Sequence, residues 1–176
     1  MTSPRRDPLC EALADGREEA FANLYDRFAL RMFRVAVAIL VSTHDAEDAV
    51  QDTFVSLVRF RRGFRTVRNL RAYVLGAARN AAVRRLRRRS RTPAPVDPAD
   101  LALAAPSPAP LPTDRAARLQ RALRTLPPEQ RDVVALHVDG GLTLAETADA
   151  LGLRLNNVAS RYRYALQKLR AGLEDA

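Results

Sequence analysis

Polar side chains suited to nucleic acid share one face of a helix near the C-terminus. Four of them recur at spacings of three and four residues, which places them on one side of a helix: Asn157, Ser160, Arg161 and Tyr164. Amide, hydroxyl and guanidinium groups read base edges in the major groove and bind phosphates. Arg154 lies just before this face, and no acid follows it until Glu174. The pattern predicts a helix that reads duplex DNA.

The residues before this helix have the spacing of a helix-turn-helix. Ala148 is a small residue at the expected crossing, Gly152 follows in the turn, and Val158 supplies the core between the helices. Thr143 and Glu146 form the sequence of a capping box. We expect Asn156 to cap the last helix. A plain helical hairpin satisfies parts of the same pattern.

A second basic segment lies in the N-terminal half. Residues 59–91 contain thirteen arginines and no acid, whereas residues 11–52 contain nine acids and four arginines. Basic runs also occur as solvated faces. Because Phe64, Tyr73 and Val83 interrupt this one with apolar side chains, we expect much of it to fold.

A proline-rich stretch divides the elements into two units. Residues 92–113 hold seven prolines, which resist helix formation, so this segment is predicted to be a semi-extended tether. We expect an N-terminal domain over 1–91 and a C-terminal domain over 114–176, both small. Apolar residues at helical spacing fill each unit, and the predicted fold class is all-α. The buried stripes are predicted to include Leu24, Tyr25 and Phe28, then Phe54, Leu57 and Val58, and in the last helix Val158, Leu166 and Leu169.

Composition limits the function classes. The chain has 176 residues, a net charge of +9 and one cysteine. The charge favours a polyanionic partner, nucleic acid before an anionic membrane. The single cysteine excludes an intramolecular disulfide and a zinc site built from cysteines. The longest apolar run, residues 35–41, is too short to span a membrane, so we expect a soluble cytoplasmic protein. No arrangement of residues predicts catalysis, a metal or a cofactor, and His44 and His137 are isolated.

Several stretches resemble a known family. Residues 45–54, Asp-Ala-Glu-Asp-Ala-Val-Gln-Asp-Thr-Phe, are similar to the core-polymerase-binding motif of bacterial sigma factors of the extracytoplasmic-function (ECF) group. Residues 70–80 resemble the segment that melts and reads the minus-10 element. Residues 126–131 and 158–161 resemble the domain that reads the minus-35 element. The two motif sets occur in the family's order, and the short two-domain layout selects this group within the sigma-70 family.

The resemblance implies roles for residues of the N-terminal domain. The residues that would face core RNA polymerase are Asp45, Glu47, Asp48, Gln51, Asp52 and Phe54. An acidic helix face can meet a basic partner helix, although acids are also common in any first helical turn. The residues that would hold a flipped minus-10 base or line the path of the single strand are Phe64, Arg65, Arg68, Arg71, Tyr73, Asn80, Arg84 and Arg88. An aromatic platform in a basic groove suits unpaired DNA. Tyr73 could equally be a core residue.

For the C-terminal domain, the resemblance implies minus-35 contacts by Arg154, Asn157, Ser160, Arg161 and Tyr164. It also implies core RNA polymerase and promoter DNA as partners, and relatives are often held by an anti-sigma factor. The chain lacks the tryptophans of many relatives and has Asn157 and Ala159 where threonine and lysine are usual. Promoter sequence is therefore not transferable. Two alternatives remain: an autonomous helix-turn-helix regulator, and a basic RNA-associated protein, which leaves the helix-turn-helix unexplained.

Overall fold

The computed structural model describes residues 7–91 and 122–174, and these residues form helices and turns without a strand. The predicted all-α class is therefore confirmed. The predicted tether over 92–113 lies outside the described residues. No helix in the described ranges is long and apolar enough to cross a membrane.

Four α-helices and a short 3-10 segment form the N-terminal unit. They are α1 (Leu9–Ala14), α2 (Glu18–Leu40), α3 (Thr43–Arg59), the 3-10 segment Arg61–Thr66, and α4 (Leu70–Arg91). Helix α2 packs against both α3 and α4. Its buried stripe recurs at helical spacing and includes Leu24, Phe28, Met32 and Val35, none with exposed surface. This stripe is the centre of the core.

Local capping explains where these helices begin. The Ser42 hydroxyl accepts a hydrogen bond from the Asp45 backbone N–H at 3.2 Å, and the Asn69 side chain accepts one from the Ala72 N–H at 3.1 Å. Each satisfies a backbone donor that has no partner inside its helix. Serine and asparagine are both preferred at the position that precedes a helix. Helix α2 ends at Leu40, and the next residue, Val41, adopts a left-handed conformation with φ 62°.

The C-terminal unit contains the predicted helix-turn-helix. Residues 122–125 are helical, α5 (Pro128–Val134) continues into a π-helical turn at Ala135–Asp139, and α6 (Leu144–Leu151) and α7 (Leu155–Glu174) follow. The complete capping box of Thr143 and Glu146 opens α6, and Gly152 ends it in the left-handed region at φ 63°. Helix α7 begins at Leu155, so the prediction that Asn156 caps it is wrong by position, because Asn156 already lies in its first turn.

Three apolar residues that the sequence assigned to buried stripes are exposed. Leu166 is 42% exposed, whereas its neighbour Ala165 is fully buried. Ala165 lies seven residues after the buried Val158, and residues seven apart lie on nearly the same face of a helix. Val58 and Tyr25 are 45% and 54% exposed. In each case a neighbour, Leu57 or Leu24, takes the buried position. Adjacent apolar residues differ by about 100° around a helix, and only the packing partner decides which one is buried.

The two units share one core. Ala135, Leu136 and Leu142 of the C-terminal unit belong to the same buried apolar cluster as α2 and α4. A second and a third cluster, around Val134 and Val158, lie inside the C-terminal unit. The sequence analysis expected two loosely tethered units. In the structure they are in contact, since small domains leave apolar surface that a neighbour can cover.

Candidate nucleic-acid interface

A cavity of about 1190 Å³ opens along α4 and the 3-10 segment. Five of the eight side chains predicted to contact the minus-10 element line it: Arg65, Arg68, Tyr73, Asn80 and Arg84. Further polar residues that the sequence analysis did not single out also line it: Thr53, Ser56, Thr66, Asn69 and, from α6, Asp149. The arginines make the cavity attractive to phosphate, and the ring of Tyr73 offers a surface on which a base can stack.

Tyr73 is held in place by the aromatic ring beneath it. Its ring is 38% exposed and meets Phe64 edge to face, with 5.5 Å between the ring centroids. Phe64 in turn meets Phe21 of α2 at 6.3 Å. One part of the Tyr73 ring therefore packs on the core and another lines the cavity, a position that fits both alternatives that the sequence left open.

The other three predicted minus-10 residues lie elsewhere. Phe64 is fully buried and packs in the core, so it presents no surface to a base in this arrangement. Arg71 turns toward the C-terminal unit, where its guanidinium donates to the Gly141 carbonyl oxygen at 2.5 Å. Arg88 lines a smaller cavity of about 240 Å³ beside Arg84 and Arg85. The family resemblance implied that all three lie near the single-stranded DNA, but it did not show which way each side chain points.

Arg85 of α4 binds the acidic face of α3. Its guanidinium forms ion pairs with Asp45 at 3.3 Å, with Asp52 at 3.4 Å, and with Asp48. Arg89 adds a second ion pair to Asp45 at 2.8 Å. Three of the carboxylates expected to face polymerase are therefore partly neutralised within the chain. One guanidinium with five donors can serve several carboxylates at once, and this connects α3 to α4.

The solvent side of α3 carries a different set of residues. Glu47 and Gln51 are exposed there, and Val55 and Val58 follow on the same helix, 62% and 45% exposed. Phe54, the last of the predicted polymerase contacts, is half-buried against the ring of Tyr25 at 5.0 Å. The sequence analysis missed Val55. The sequence feature that could have identified Val55 is its position four residues after Gln51, because residues i and i+4 lie on the same face of a helix.

The predicted minus-35 residues lie together on the open side of α7. Arg154, Asn157 and Tyr164 are exposed, and Ser160 and Arg161 are half-exposed. The guanidinium of Arg163 lies over the Tyr164 ring at 5.6 Å. On the opposite side Val158 and Ala165 are fully buried. This is the geometry of a recognition helix, with an apolar seam toward α5 and α6 and polar donors toward solvent.

His137, in the π-helical turn, packs against α7. Its ring packs edge to face on Tyr162 with centroids 4.7 Å apart, and its Nδ1 lies 2.6 Å from the Leu142 carbonyl oxygen. Both contacts are packing contacts between His137 and neighbouring residues of the same unit.

Glu146 lies at the contact between the two units, and the pKa of its carboxyl is shifted there. Burial acts to raise the pKa of its carboxyl, but hydrogen bonds from the Thr143 backbone N–H and the Asn69 amide, with the positive charge of Arg71, outweigh burial. The pKa therefore lies below its ordinary value. The ionised carboxylate strengthens these contacts above its unfolded-state pKa, and that contribution is lost as pH falls through the lowered pKa.

Two family descriptions match the chain, one in each unit. "Sigma-70 region 2" matches residues 24–92, which contain most of the cavity lining and the acidic face of α3. "Sigma-70, region 4" matches residues 116–169, which contain the helix-turn-helix. Both fall on the segments that carried the sequence resemblance.

Two curated relatives are similar to the chain over nearly all of its length. The chain is 31% identical to the ECF RNA polymerase sigma factor SigK of Mycobacterium tuberculosis, with 99% of each chain covered. It is 31% identical to the ECF RNA polymerase sigma factor SigE of Mycolicibacterium smegmatis, covering 95% of this chain and 68% of that protein.

Solved structures show the same fold. CnrH, in a complex with the cytosolic domain of CnrY, matches with a TM-score of 0.68 and 26% identity over 95% of this chain and 96% of CnrH. The sigma factor RpoE in complex with the anti-sigma factor NepR from Bartonella quintana matches with a TM-score of 0.66 and 22% identity, covering 86% of this chain and 97% of that chain. With sigma-70 regions 2 and 4 in order and full-length curated relatives, the chain belongs to the ECF group of bacterial RNA polymerase sigma factors.

Proposed function

We propose that this chain binds core RNA polymerase in the cytoplasm and directs it to promoters through both units. The observation that carries the proposal is the pairing of a basic cavity containing Tyr73 in one unit with the polar face of α7 in the other. The first suits unpaired bases and the second suits a duplex major groove. The chain makes no covalent change, and binding energy offsets the few kcal/mol needed to unstack a base.

Polymerase binding is assigned to α3. Its exposed face combines the acid Glu47, the amide Gln51 and the apolar Val55 and Val58. Interface cores favour apolar side chains, and charges around them steer a basic partner into register. Asp45, Asp48 and Asp52 border this face, and the ion pairs with Arg85 hold them in a fixed arrangement.

An anti-sigma factor is a further proposed partner. One solved structure similar to this chain is a complex with an anti-sigma factor, and another is a complex with the cytosolic domain of CnrY. The exposed apolar residues of α3 are the surface we assign to such a partner, in competition with polymerase.

Run-off transcription tests the proposed function. Core RNA polymerase from the same organism, incubated with genomic fragments, should start at defined promoters only when the chain is added. Polymerase without the chain is the control. If no promoter-specific transcript appears and the chain alone footprints DNA, the autonomous helix-turn-helix regulator is correct instead.

The Arg161→Ala chain is expected to weaken minus-35 recognition by about 1–3 kcal/mol, because one guanidinium contact to a base edge is lost. Promoter titrations with wild-type and altered minus-35 sequences measure the effect. Co-elution with core polymerase should not change. If Arg161→Ala abolishes polymerase binding, the division of labour between the two units is wrong.

The Tyr73→Ala chain is expected to bind single-stranded minus-10 DNA about 1–3 kcal/mol more weakly, which is the contribution of one base stacked on an aromatic ring. Tyr73→Phe keeps the ring and should retain most of the affinity. Fluorescence anisotropy with a labelled oligonucleotide compares the two. Equal losses in both variants would show that the hydroxyl, and not stacking, is responsible.

A further inference from the structure

Asn156 has no structural role in α7 that explains its presence. It lies in the first turn of this helix and is exposed. The sequence predicts it as the helix cap, but the helix begins one residue earlier, at Leu155. The Arg154 carbonyl oxygen accepts hydrogen bonds from the backbone N–H groups of Asn157 and Val158 at 3.0 and 3.3 Å, and these bonds close the first turn. The side chain of Asn156 is therefore not needed to begin α7.

The side-chain amide of Asn156 is available to a ligand. It makes no hydrogen bond to any other residue within the described ranges. Asn69 shows the contrast, because its amide oxygen accepts from the Ala72 N–H and its amide nitrogen donates to Glu146. An asparagine inside a helix is not favoured by helix propensity, since its short polar side chain competes for backbone hydrogen bonds. These observations favour a role for Asn156 in binding.

Asn156 lies opposite the buried side of α7. That side contains Val158 and Ala165, which are both fully buried. Successive residues are rotated by about 100° around a helix, so Asn156 lies about 160° from Val158 and about 180° from Ala165. Asn157 lies only about 100° and about 80° from the same two residues. Of the two asparagines in this turn, Asn156 therefore points more directly away from the body of the helix-turn-helix.

Two polar residues continue the line of Asn156 along α7. Ser160 and Arg163 follow it by four and seven residues, so they share its face. Arg163 is exposed, and its guanidinium carbon lies 5.6 Å from the centroid of the Tyr164 ring. No acid occurs in α7 before its last residue, Glu174. The face that contains Asn156 therefore carries no charge that repels DNA.

Asn156 has the position from which a recognition helix reads bases. It is the second residue of α7, and the N-terminal residues of such a helix contact base edges in the major groove. An asparagine amide offers a donor and an acceptor in one plane, and adenine presents the matching acceptor N7 and donor N6 in that groove. Guanine presents two acceptors there, cytosine a donor, and thymine an acceptor and a methyl group. Adenine is therefore the base that suits this side chain.

We propose that Asn156 is a specificity-determining residue that reads one adenine of the minus-35 element through two hydrogen bonds. Its Nδ2 atom donates to adenine N7, and its Oδ1 atom accepts from adenine N6. This inference rests on the proposed function of α7 in minus-35 binding. It goes beyond that function by adding a contact residue and by naming the base that this residue selects.

A promoter library tests the assignment with the full chain. Core RNA polymerase and the chain are incubated with fragments whose minus-35 region is randomised, and the bound fragments are sequenced. We expect one position at which adenine is preferred about tenfold. Asn156→Ala should lose the preference at that position and keep the preferences at the others. Asn23→Ala is the matched control, because it removes an exposed asparagine amide from α2, and it should keep all of them.

Two further changes preserve shape and alter only the hydrogen-bonding groups. Asn156→Asp replaces the donor by a second acceptor, which repels adenine N7 and accepts from cytosine N4, so the preferred base should change from adenine to cytosine. On the DNA, 7-deazaadenine lacks the N7 acceptor. It should weaken binding of the wild-type chain several-fold and leave binding of Asn156→Ala unchanged. A purely structural role of Asn156 would produce neither result.

Several results would overturn the inference. The first is an Asn156→Ala or Asn156→Asp chain that keeps the adenine preference. The second is a preferred base other than adenine at the position that Asn156→Ala alters. The third is an equal loss of affinity for every sequence, which would assign the amide to a phosphate contact. The fourth is an equal effect of 7-deazaadenine on the wild-type and Asn156→Ala chains.

Failure of the proposed function gives a different result in the same experiment. If the wild-type chain selects no base anywhere in the minus-35 region, the assignment of α7 to this element is wrong, and the adenine contact falls with it. If the wild-type chain selects bases there and Asn156→Ala selects the same ones, the proposed function stands and only the role of Asn156 is wrong.

Discussion

The Glu47→Arg chain is expected to lose co-elution with core RNA polymerase, with affinity reduced at least about tenfold, or about 1.4 kcal/mol. Glu47 is exposed on α3, on the same face as Val55. An arginine there would place a positive charge against the basic partner helix that the proposal assigns to polymerase. Size-exclusion chromatography of the mixed proteins measures the loss.

The matched control is Glu19→Arg, which makes the same charge change at an exposed position on α2. It should co-elute like the wild-type chain. Asp48→Arg is a useful third variant, because it removes an ion pair with Arg85 as well as an acid. We expect Asp48→Arg to lower both polymerase binding and thermal stability, whereas Glu47→Arg lowers binding alone. Undiminished binding by Glu47→Arg would show that polymerase does not bind this face of α3.

Removal of the Phe64 ring should produce the largest stability change, a loss of about 3–5 kcal/mol in the free energy of unfolding for Phe64→Ala. The ring is fully buried between Phe21 and Tyr73, and truncation leaves a cavity that helices on both sides hold open. Denaturant unfolding followed by circular dichroism measures the difference.

Phe60→Ala is the control, because it removes the same side chain from the end of α3, where Phe60 is 65% exposed. Its effect on stability should stay within about 0.5 kcal/mol. The comparison also decides the role of Phe64. If Phe64→Ala is as stable as Phe60→Ala but binds single strands poorly, the resemblance-based assignment of Phe64 to the base-holding loop is correct and the core assignment is wrong.

Features that depend on nearby residues were predictable. The caps at Ser42, Asn69 and Thr143 and the left-handed Gly152 each involve atoms within four residues along the chain. Their chemistry is local, so the amino-acid order alone determines it. The grouping of Arg65, Arg68 and Tyr73 was implied by the family resemblance alone, since they lie in the 3-10 segment, in a bend and in α4 and share no helix face.

Side-chain direction over longer distances was not predictable. Arg71 and Arg84 lie on the same basic helix, yet one donates to Gly141 across the interface and the other lines the cavity. Arg85 was one of thirteen arginines in a run, and only the position of α3 makes it the partner of three aspartates. A contact between residues 30 to 80 positions apart leaves no periodic signal in one sequence.

The sequence by itself determined the helical class, the order of the two units and the polar face of α7, because periodicity, capping and charge are written in consecutive residues. The tertiary structure alone decided that Phe64 is core, that Arg85 neutralises the acids of α3, and that α6 docks on α4. Those outcomes depend on which surfaces are buried against each other. The free energy gained when apolar surface is removed from water depends on both elements of a packed pair, so one element alone does not determine it.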